Sequence, residues 1–188
     1  MLRRLVVGYY QANCYIMGDE TTGEGVVIDP GDEVFRIARE ISNLGLSIKY
    51  ILLTHGHFDH VEGAYELRSI TKAPVLIHPL DAGGLRFEPD GALSEGLHLY
   101  VGNYDIEVLH TPGHSPGSVC FYTDGVVFTG DTLFAGSVGR TFSQRDHYLL
   151  VQNVVQKIFP LGDDVRVYPG HGPPTTVGRE RLTNPFFQ

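Results

Sequence analysis

Histidine and aspartate are concentrated in one short segment of this 188-residue sequence, Thr54-His55-Gly56-His57-Phe58-Asp59-His60. Imidazole nitrogens and carboxylate oxygens are the ligands that zinc and related divalent ions take in proteins. Two histidines two positions apart in an extended loop point their rings to the same side, whereas Asp59 and His60 begin the next turn and can face a neighbouring ion. The segment therefore predicts a metal site, because such a density of ligands has no packing explanation.

Three further candidate ligands each follow an apolar run and have a glycine close by in the chain: His114, Asp131 and His171. Loops at strand ends are common places for functional residues, and glycine allows the sharp turns that such loops need. Together with the first segment they provide five imidazoles and two carboxylates. A single catalytic zinc needs only three protein ligands and a water, so this set predicts two adjacent ions, with the two oxygens of Asp131 bridging them.

The remaining histidines lack this context and are interpreted as structural or surface residues; they are His78, His98, His110 and His147.

The elements that must position these residues follow an α/β pattern, in which short runs rich in Val and Ile alternate with helical periodicity. Strands are predicted over 14–17, 26–28, 48–53, 75–77, 106–109, 119–122, 126–128 and 165–168. Helices are predicted over 33–43, 61–70 and 148–159. The polar segment 81–96 carries no clear signal, and its structure stays open.

Composition narrows the class of protein. The chain has 14 Lys and Arg against 22 Asp and Glu, a formal charge of −8 at pH 7, and no basic run, which argues against nucleic acid as a partner. No apolar stretch is long enough to span a membrane. Cys14 and Cys120 stand far apart without a redox or disulfide pattern, which favours the reducing cytoplasm. The length predicts a single domain over 1–188.

The motifs, taken in order, resemble the metallo-β-lactamase superfamily. Its signature His-x-His-x-Asp-His stands at 55–60, Val27-Ile28-Asp29-Pro30-Gly31 resembles its first motif, and the three later ligands match its third, fourth and fifth motifs. The resemblance implies a four-layer αβ/βα sandwich, with two mixed sheets face to face and helices outside. It also implies that Asp29 holds the loops of the site without binding a metal.

The same resemblance implies a ligand set for two metal ions. His55, His57 and His114 would bind the first ion, and Asp59, His60 and His171 the second. Asp131 and a hydroxide would bridge the two ions. Mixed histidine and carboxylate ligation suits zinc best, although iron and manganese accept the same set.

Within the superfamily the chain is most similar to the short form of the glyoxalase II group, the hydroxyacylglutathione hydrolases, which lacks a C-terminal helical domain. Segments 133–141 and 181–186 carry this likeness, and Asp131 argues against a class B β-lactamase. The implied reaction is attack by the metal-bridging hydroxide on a thioester, S-D-lactoylglutathione or a related small molecule, with Asp59 and Asp131 as catalytic residues. Arg140 stands where the group has a basic residue that contacts glutathione, so it is the candidate for substrate binding.

Three other functions remain open at this stage. The first is hydrolysis of a lactone or another ester. The second is a persulfide dioxygenase, a similar relative that holds one iron through a subset of these positions. The third is a metal-binding module without turnover. The sequence predicts no oligomeric state.

Overall fold

The computed structural model describes all residues from Met1 to Gln188 and shows four layers in the order helices, sheet, sheet, helices. The first sheet has six strands in chain order, antiparallel from β1 to β3 and parallel from β3 to β6. Its strands are β1 (Leu2–Val7), β2 (Ala12–Gly18), β3 (Glu24–Ile28), β4 (Ser47–Leu52), β5 (Val75–Ile77) and β6 (Gly91–Ala92).

The second sheet also has six strands, in the order β14-β13-β10-β9-β8-β7, and only β10 and β13 are parallel neighbours. Its strands are β7 (His98–Val101), β8 (Tyr104–His110), β9 (Val119–Thr123), β10 (Val126–Gly130), β13 (Arg166–Pro169) and β14 (Thr175–Thr176). A separate hairpin joins β11 (Leu133–Phe134) to β12 (Ser137–Val138). The predicted α/β fold with two mixed sheets is therefore confirmed.

Five α-helices lie outside the sheets: α1 (Val34–Asn43), α2 (Phe58–Val61), α3 (Ala64–Thr71), α4 (Gln144–Asn153) and α5 (Val177–Thr183). None of them has the length and apolar character needed to cross a bilayer. Helix α4 continues into a π-helical turn over Val154–Ile158 and a 3₁₀ turn over Phe159–Leu161.

Three apolar cores separate the four layers, and alternation along the strands assigns side chains to them. In β2, Cys14 and Ile16 pack with α1 and α3, whereas Tyr15 and Met17 face the second sheet. Successive side chains of a strand point to opposite faces, so a strand that is covered on both faces is apolar throughout. The central core closes the two sheets on each other, and the third core packs α4 and α5 onto the second sheet.

Hydrogen bonds join the two sheets where the candidate ligands lie. The backbone N–H of Asn13 donates to the carbonyl of Gly170 (2.7 Å), and the N–H of Val119 donates to the carbonyl of Thr54 (2.8 Å). The buried Tyr15 hydroxyl donates to the carbonyl of Pro169 (2.6 Å). These bonds fix the loop after β4 of the first sheet against β9 of the second, and the end of β13 of the second sheet against β2 of the first.

The predicted helices differ from the observed ones in their bounds. The helix predicted over 61–70 is two helices, because the chain turns at Gly63, where an added Cβ would collide with the carbonyl of Pro30. The helix predicted over 148–159 begins earlier, since the Ser143 hydroxyl accepts from the N–H of Asp146 and caps α4. The sequence pattern does not predict helix α5 or strands β1, β7, β11, β12 and β14. The open segment 81–96 contains most of a 3₁₀ turn, Pro79–Gly84, and strand β6.

Candidate metal centre

All seven predicted ligands meet in one cluster, in the loops that follow β4, β8, β10 and β13 and at the start of helix α2. Two groups of three could each hold a metal ion, with ligand atoms of each group within 4.8 Å of one another. The first is His55, His57 and His114, and the second is Asp59, His60 and His171. These are the two sets that the sequence predicts.

The closest ligand atoms in each group have the spacing of a metal site. Nε2 of His114 lies 2.9 Å from Nδ1 of His57, and Nε2 of His60 lies 3.1 Å from Nε2 of His171. Nitrogens bound tetrahedrally to zinc at its usual bond length lie roughly 3.3 Å apart. Each pair of rings therefore presents its nitrogens to a common point.

Hydrogen bonds behind the rings select the nitrogen that is left for a metal. The Thr54 hydroxyl donates to Asp29 Oδ2 (2.6 Å), so its oxygen accepts from Nδ1–H of His55 (3.0 Å). His60 Nδ1–H donates to the same Asp29 oxygen (2.9 Å), and His114 Nδ1–H donates to the carbonyl of Arg140 (2.7 Å). In all three histidines Nε2 is therefore the nitrogen left for a metal, the arrangement typical of metal-binding imidazoles.

Asp131 lies between the two groups. Its Oδ1 is 3.4 Å from Nε2 of His60, and its Oδ2 is 3.6 Å from Nε2 of His114 and 3.7 Å from Nε2 of His171. Gly170 packs directly on this carboxylate, since an added Cβ would collide with Asp131 Oδ1. One carboxylate is thus placed to contact an ion in each group.

Two buried polar atoms have no hydrogen-bond partner, Nε2 of His55 and Oδ1 of Asp131. A buried polar atom without a partner is costly, and native proteins rarely leave one unsatisfied. Both atoms belong to the cluster of predicted metal ligands, so bound cations would satisfy them. The donor set therefore fits divalent metal ions.

A third possible group, Asp29 with His55 and His60, also lies within metal-binding distance. Asp29 already accepts three hydrogen bonds, from the N–H of Thr54 (2.8 Å), from the Thr54 hydroxyl and from His60. Its carboxylate therefore orients ligands and has little capacity left for an ion, as the resemblance implied.

Electrostatics within the cluster also favour bound cations. Burial and the neighbouring histidines push the pKa of His55 well below its usual value, and burial lowers the pKa of His114. Burial alone would lower the pKa of His60, but Asp131, Asp29 and Asp59 together raise it to about 9. In the metal-free protein these carboxylates favour a proton on His60. Divalent cations can replace that proton as the positive charge that balances the carboxylates.

Asp81 is a structural residue of the site that the sequence did not reveal. It is buried, and its carboxylate accepts from the N–H of Gly56 (2.9 Å), the N–H of Gly117 (2.7 Å) and the hydroxyl of Ser115 (2.5 Å). It thereby ties the loop of His55 and His57 to the loop of His114. No periodicity or motif marks it, because its partners are distant in sequence.

Arg140 takes part through its backbone, whose carbonyl orients His114, while its guanidinium is exposed and lies 5.6 Å from the ring centre of Phe142. Beside His114 is a cavity of about 460 Å³ lined in part by Phe142, Arg145 and Leu149. Neither arginine forms an ion pair. Asp146 lines the same cavity, so this flank of the site combines apolar surface with one carboxylate and two guanidinium groups that form no ion pair.

The four histidines interpreted as structural or surface residues lie outside the two ligand groups. His78 and His110 stack on each other with ring centres 4.2 Å apart, and His98 pairs with Asp105 at the surface. His147 packs against the ring of Phe186. Cys14 and Cys120 are buried free thiols.

Comparison with known proteins yields one family and several close relatives. The family model of the metallo-beta-lactamase superfamily matches residues 7–171. Hydroxyacylglutathione hydrolase GloC of Haemophilus influenzae is 37% identical over 199 residues, which cover 95% of this chain and 93% of that protein. The similarity therefore extends over nearly all of both chains.

Three solved structures share the fold. The B3 metallo-beta-lactamase BLEG-1 is 34% identical with a TM-score of 0.94, and the match covers 100% of both chains. ETHE1 from Myxococcus xanthus is 31% identical with a TM-score of 0.90, covering 98% of this chain and 83% of that one. TTHA1623, solved in a di-iron-bound form, is 40% identical with a TM-score of 0.82, covering 98% and 99%.

Replacing Asp29 tests whether it orients the ligands. Asp29→Asn should weaken zinc affinity by about 10- to 100-fold, because an amide cannot accept from both Thr54 groups and His60. Competition with a chelator measures the affinity. The exposed neighbour Asp32 provides the control, Asp32→Asn, and equal affinities in the two variants would contradict this role for Asp29.

Metal binding by the depleted protein should release protons. His60, with its pKa raised to about 9, is protonated at pH 7.5 and must lose that proton before Nε2 can bind an ion. Apparent zinc affinity should therefore rise as the pH increases from 6 to 9. The same shift means that His60 stabilises the depleted protein fully below pH about 6.5, and that this contribution is lost as the pH rises through about 9.

Calorimetry in buffers of different ionisation enthalpy counts the protons released on zinc binding. The His60→Gln variant should release fewer, whereas His98→Gln, which alters a surface histidine, should release as many as the unmodified chain. Zinc binding at pH 7.5 without proton release would show that His60 is neutral in the depleted protein.

Proposed function

Since the chain belongs to the metallo-β-lactamase superfamily, which includes metallo-hydrolases, we propose that it hydrolyses a thioester of glutathione, S-D-lactoylglutathione or a related hydroxyacylglutathione. The observation that carries this proposal is the meeting of two ligand groups at Asp131, with Nε2 of His55 and Oδ1 of Asp131 unsatisfied. A site for two ions suits hydrolysis of an activated carbonyl.

The proposed ligands are His55, His57 and His114 for one ion and Asp59, His60 and His171 for the other, with Asp131 contacting both. Zinc fits this set, and the di-iron form of TTHA1623 keeps iron as an alternative. Such ions, when bound, polarise a carbonyl and lower the pKa of a coordinated water from 15.7 to about 7, which supplies a nucleophile at neutral pH.

The residues of the chain hold the reactants in place. Asp59 Oδ2 lies 3.3 Å from Nε2 of His171, so its carboxylate can orient the attacking water from the second group. The water oxygen adds to the thioester carbon and the C–S bond breaks with its electron pair on sulfur. One proton of the water goes to the sulfur and the other to solvent, so a carboxylate, a thiol and a proton are released. The rings of His55, His60 and His114 are held by their Nδ1–H bonds throughout.

The positively charged groups beside His114 support a substrate whose thiol part is anionic, as in glutathione. Glutathione carries two carboxylates, and the free guanidinium groups of Arg140 and Arg145 lie on the flank of the site that His114 borders. The 37% identity to the Haemophilus hydroxyacylglutathione hydrolase supports the same substrate class. Buried free thiols also suit the reducing cytoplasm, where we propose the protein acts.

Thiol release from S-D-lactoylglutathione by zinc-loaded protein tests the reaction. Asp131→Ala should reduce both bound metal and turnover, the latter by more than about 100-fold, since losing even a partner behind a ligand costs 10- to 100-fold. The surface variant Asp105→Ala should match the unmodified protein. Near-normal turnover in Asp131→Ala would refute the bridging role.

A metal-loaded protein that releases no thiol would contradict the glutathione assignment. Lactone opening would then identify an ester hydrolase, and oxygen consumption with glutathione persulfide a dioxygenase. Because BLEG-1 is named a B3 metallo-beta-lactamase, a β-lactam belongs in the same panel. Inactivity on every substrate would favour a metal-binding module.

Replacing Arg140 tests substrate recognition separately from the chemistry. Arg140→Ala should raise KM about tenfold with little change in kcat, because a guanidinium that binds the thiol part acts equally on ground state and transition state. Arg39→Ala, at an exposed arginine of α1, is the matched control. A fall in kcat with unchanged KM would show that Arg140 acts on the reacting atoms instead.

A further inference from the structure

Three exposed aromatic side chains form a wall on the opposite flank of the site. Tyr9 is 91% exposed, and Tyr10 and Phe58 are each 56% exposed. Their rings touch in sequence, with centres 5.3 Å apart between Tyr9 and Tyr10 and 5.2 Å apart between Tyr10 and Phe58, both nearly perpendicular. Contiguous exposed apolar surface of this kind commonly marks a binding site.

The wall adjoins the second ligand group. Phe58 directly precedes Asp59 in the chain, and Tyr10 lies two residues before Ala12, which forms a β-bridge with His171. A cavity of about 160 Å³ lies against the three rings and is also lined by Asp59. Its volume suits about five or six non-hydrogen atoms, judged from the roughly 30 Å³ that a water molecule occupies in the liquid.

The charge of this cavity excludes an anion. Asp32 and Glu62 line it together with the rings, and no Lys or Arg does. The cavity beside His114 differs, because Arg145 lines it together with one carboxylate, Asp146, and the exposed guanidinium of Arg140 lies over Phe142, which also lines it. This difference in charge favours an orientation in which the anionic end of a substrate lies toward the arginines and the neutral end toward the rings.

The turn that carries the two tyrosines is fixed in place. It joins β1 to β2 where Val7 pairs with Ala12, and Gln11 N–H donates to the carbonyl of Gly8 (3.2 Å). Gly8 has a φ of +67°, and its N–H donates to Glu33 Oε1 (3.2 Å) on the neighbouring loop. The backbone that carries the two tyrosines is thus held by hydrogen bonds within the turn and to the neighbouring loop.

We propose that Tyr9, Tyr10 and Phe58 bind the acyl group of the substrate and favour uncharged acyl groups with a larger apolar part. This inference rests on the proposed function, since it assigns the two ends of a glutathione thioester. The anionic thiol part lies toward the arginines, and the acyl part lies against the rings.

Thioethers of glutathione test the wall without turnover, because they contain no bond that the enzyme can hydrolyse. Metal-loaded protein should bind S-hexylglutathione about tenfold more tightly than S-methylglutathione in calorimetric titration. This is the factor expected when about two of the five additional methylene groups are buried against the rings. The double variant Tyr10→Ala with Phe58→Ala should bind both thioethers equally. Because both rings are half exposed, their removal should leave the core intact.

Tyr100→Ala, which removes an exposed aromatic ring on β7, is the matched control and should keep the tenfold preference. Equal binding of the two thioethers by the unmodified protein, absence of binding, or an unchanged preference in the double variant would each overturn the proposal. If the preference depends on the rings but the protein cleaves no thioester, the aromatic binding site is supported and the proposed reaction is refuted.

Discussion

The buried carboxylate of Asp29 is the constraint on which the arrangement of the site depends. It receives three hydrogen bonds, two from Thr54 and one from His60, and these decide which nitrogen of His60 and, through Thr54, of His55 can bind an ion. Asp29 itself takes a φ of +51°, a conformation that aspartate tolerates better than most residues. One side chain thus couples the ends of β3 and β4 to helix α2.

Much of this centre could be predicted from the sequence, because the information is local. A dense run of ligands after an apolar strand and a glycine beside each later ligand gave all seven side chains that the structure brings together. The role of Asp81 could not be predicted, because it acts through Gly56, Gly117 and Ser115, none of which is near it in the chain. The break of the predicted helix at Gly63 likewise depends on Pro30. Contacts between distant segments leave no periodicity to detect.

The site combines two flanks of different chemistry in a protein whose formal charge is −8. Net charge describes the field far from the surface, which salt screens within about 8–10 Å, whereas Arg140 and Arg145 act at contact distance. An acidic protein can therefore receive an anionic substrate at one flank, while Asp32 and Glu62 keep the other flank free of anions. The position of charge matters here more than its sum.

Each ligand group draws on both sheets. His55, His57, Asp59 and His60 follow a strand of the first sheet, whereas His114, Asp131 and His171 follow strands of the second. An ion bound by either proposed set would thus cross-link the two halves of the chain, over the central core that already joins them. Ion binding is thus coupled to the closed arrangement of the two halves, so a bound ion would add to the free energy needed to separate the sheets.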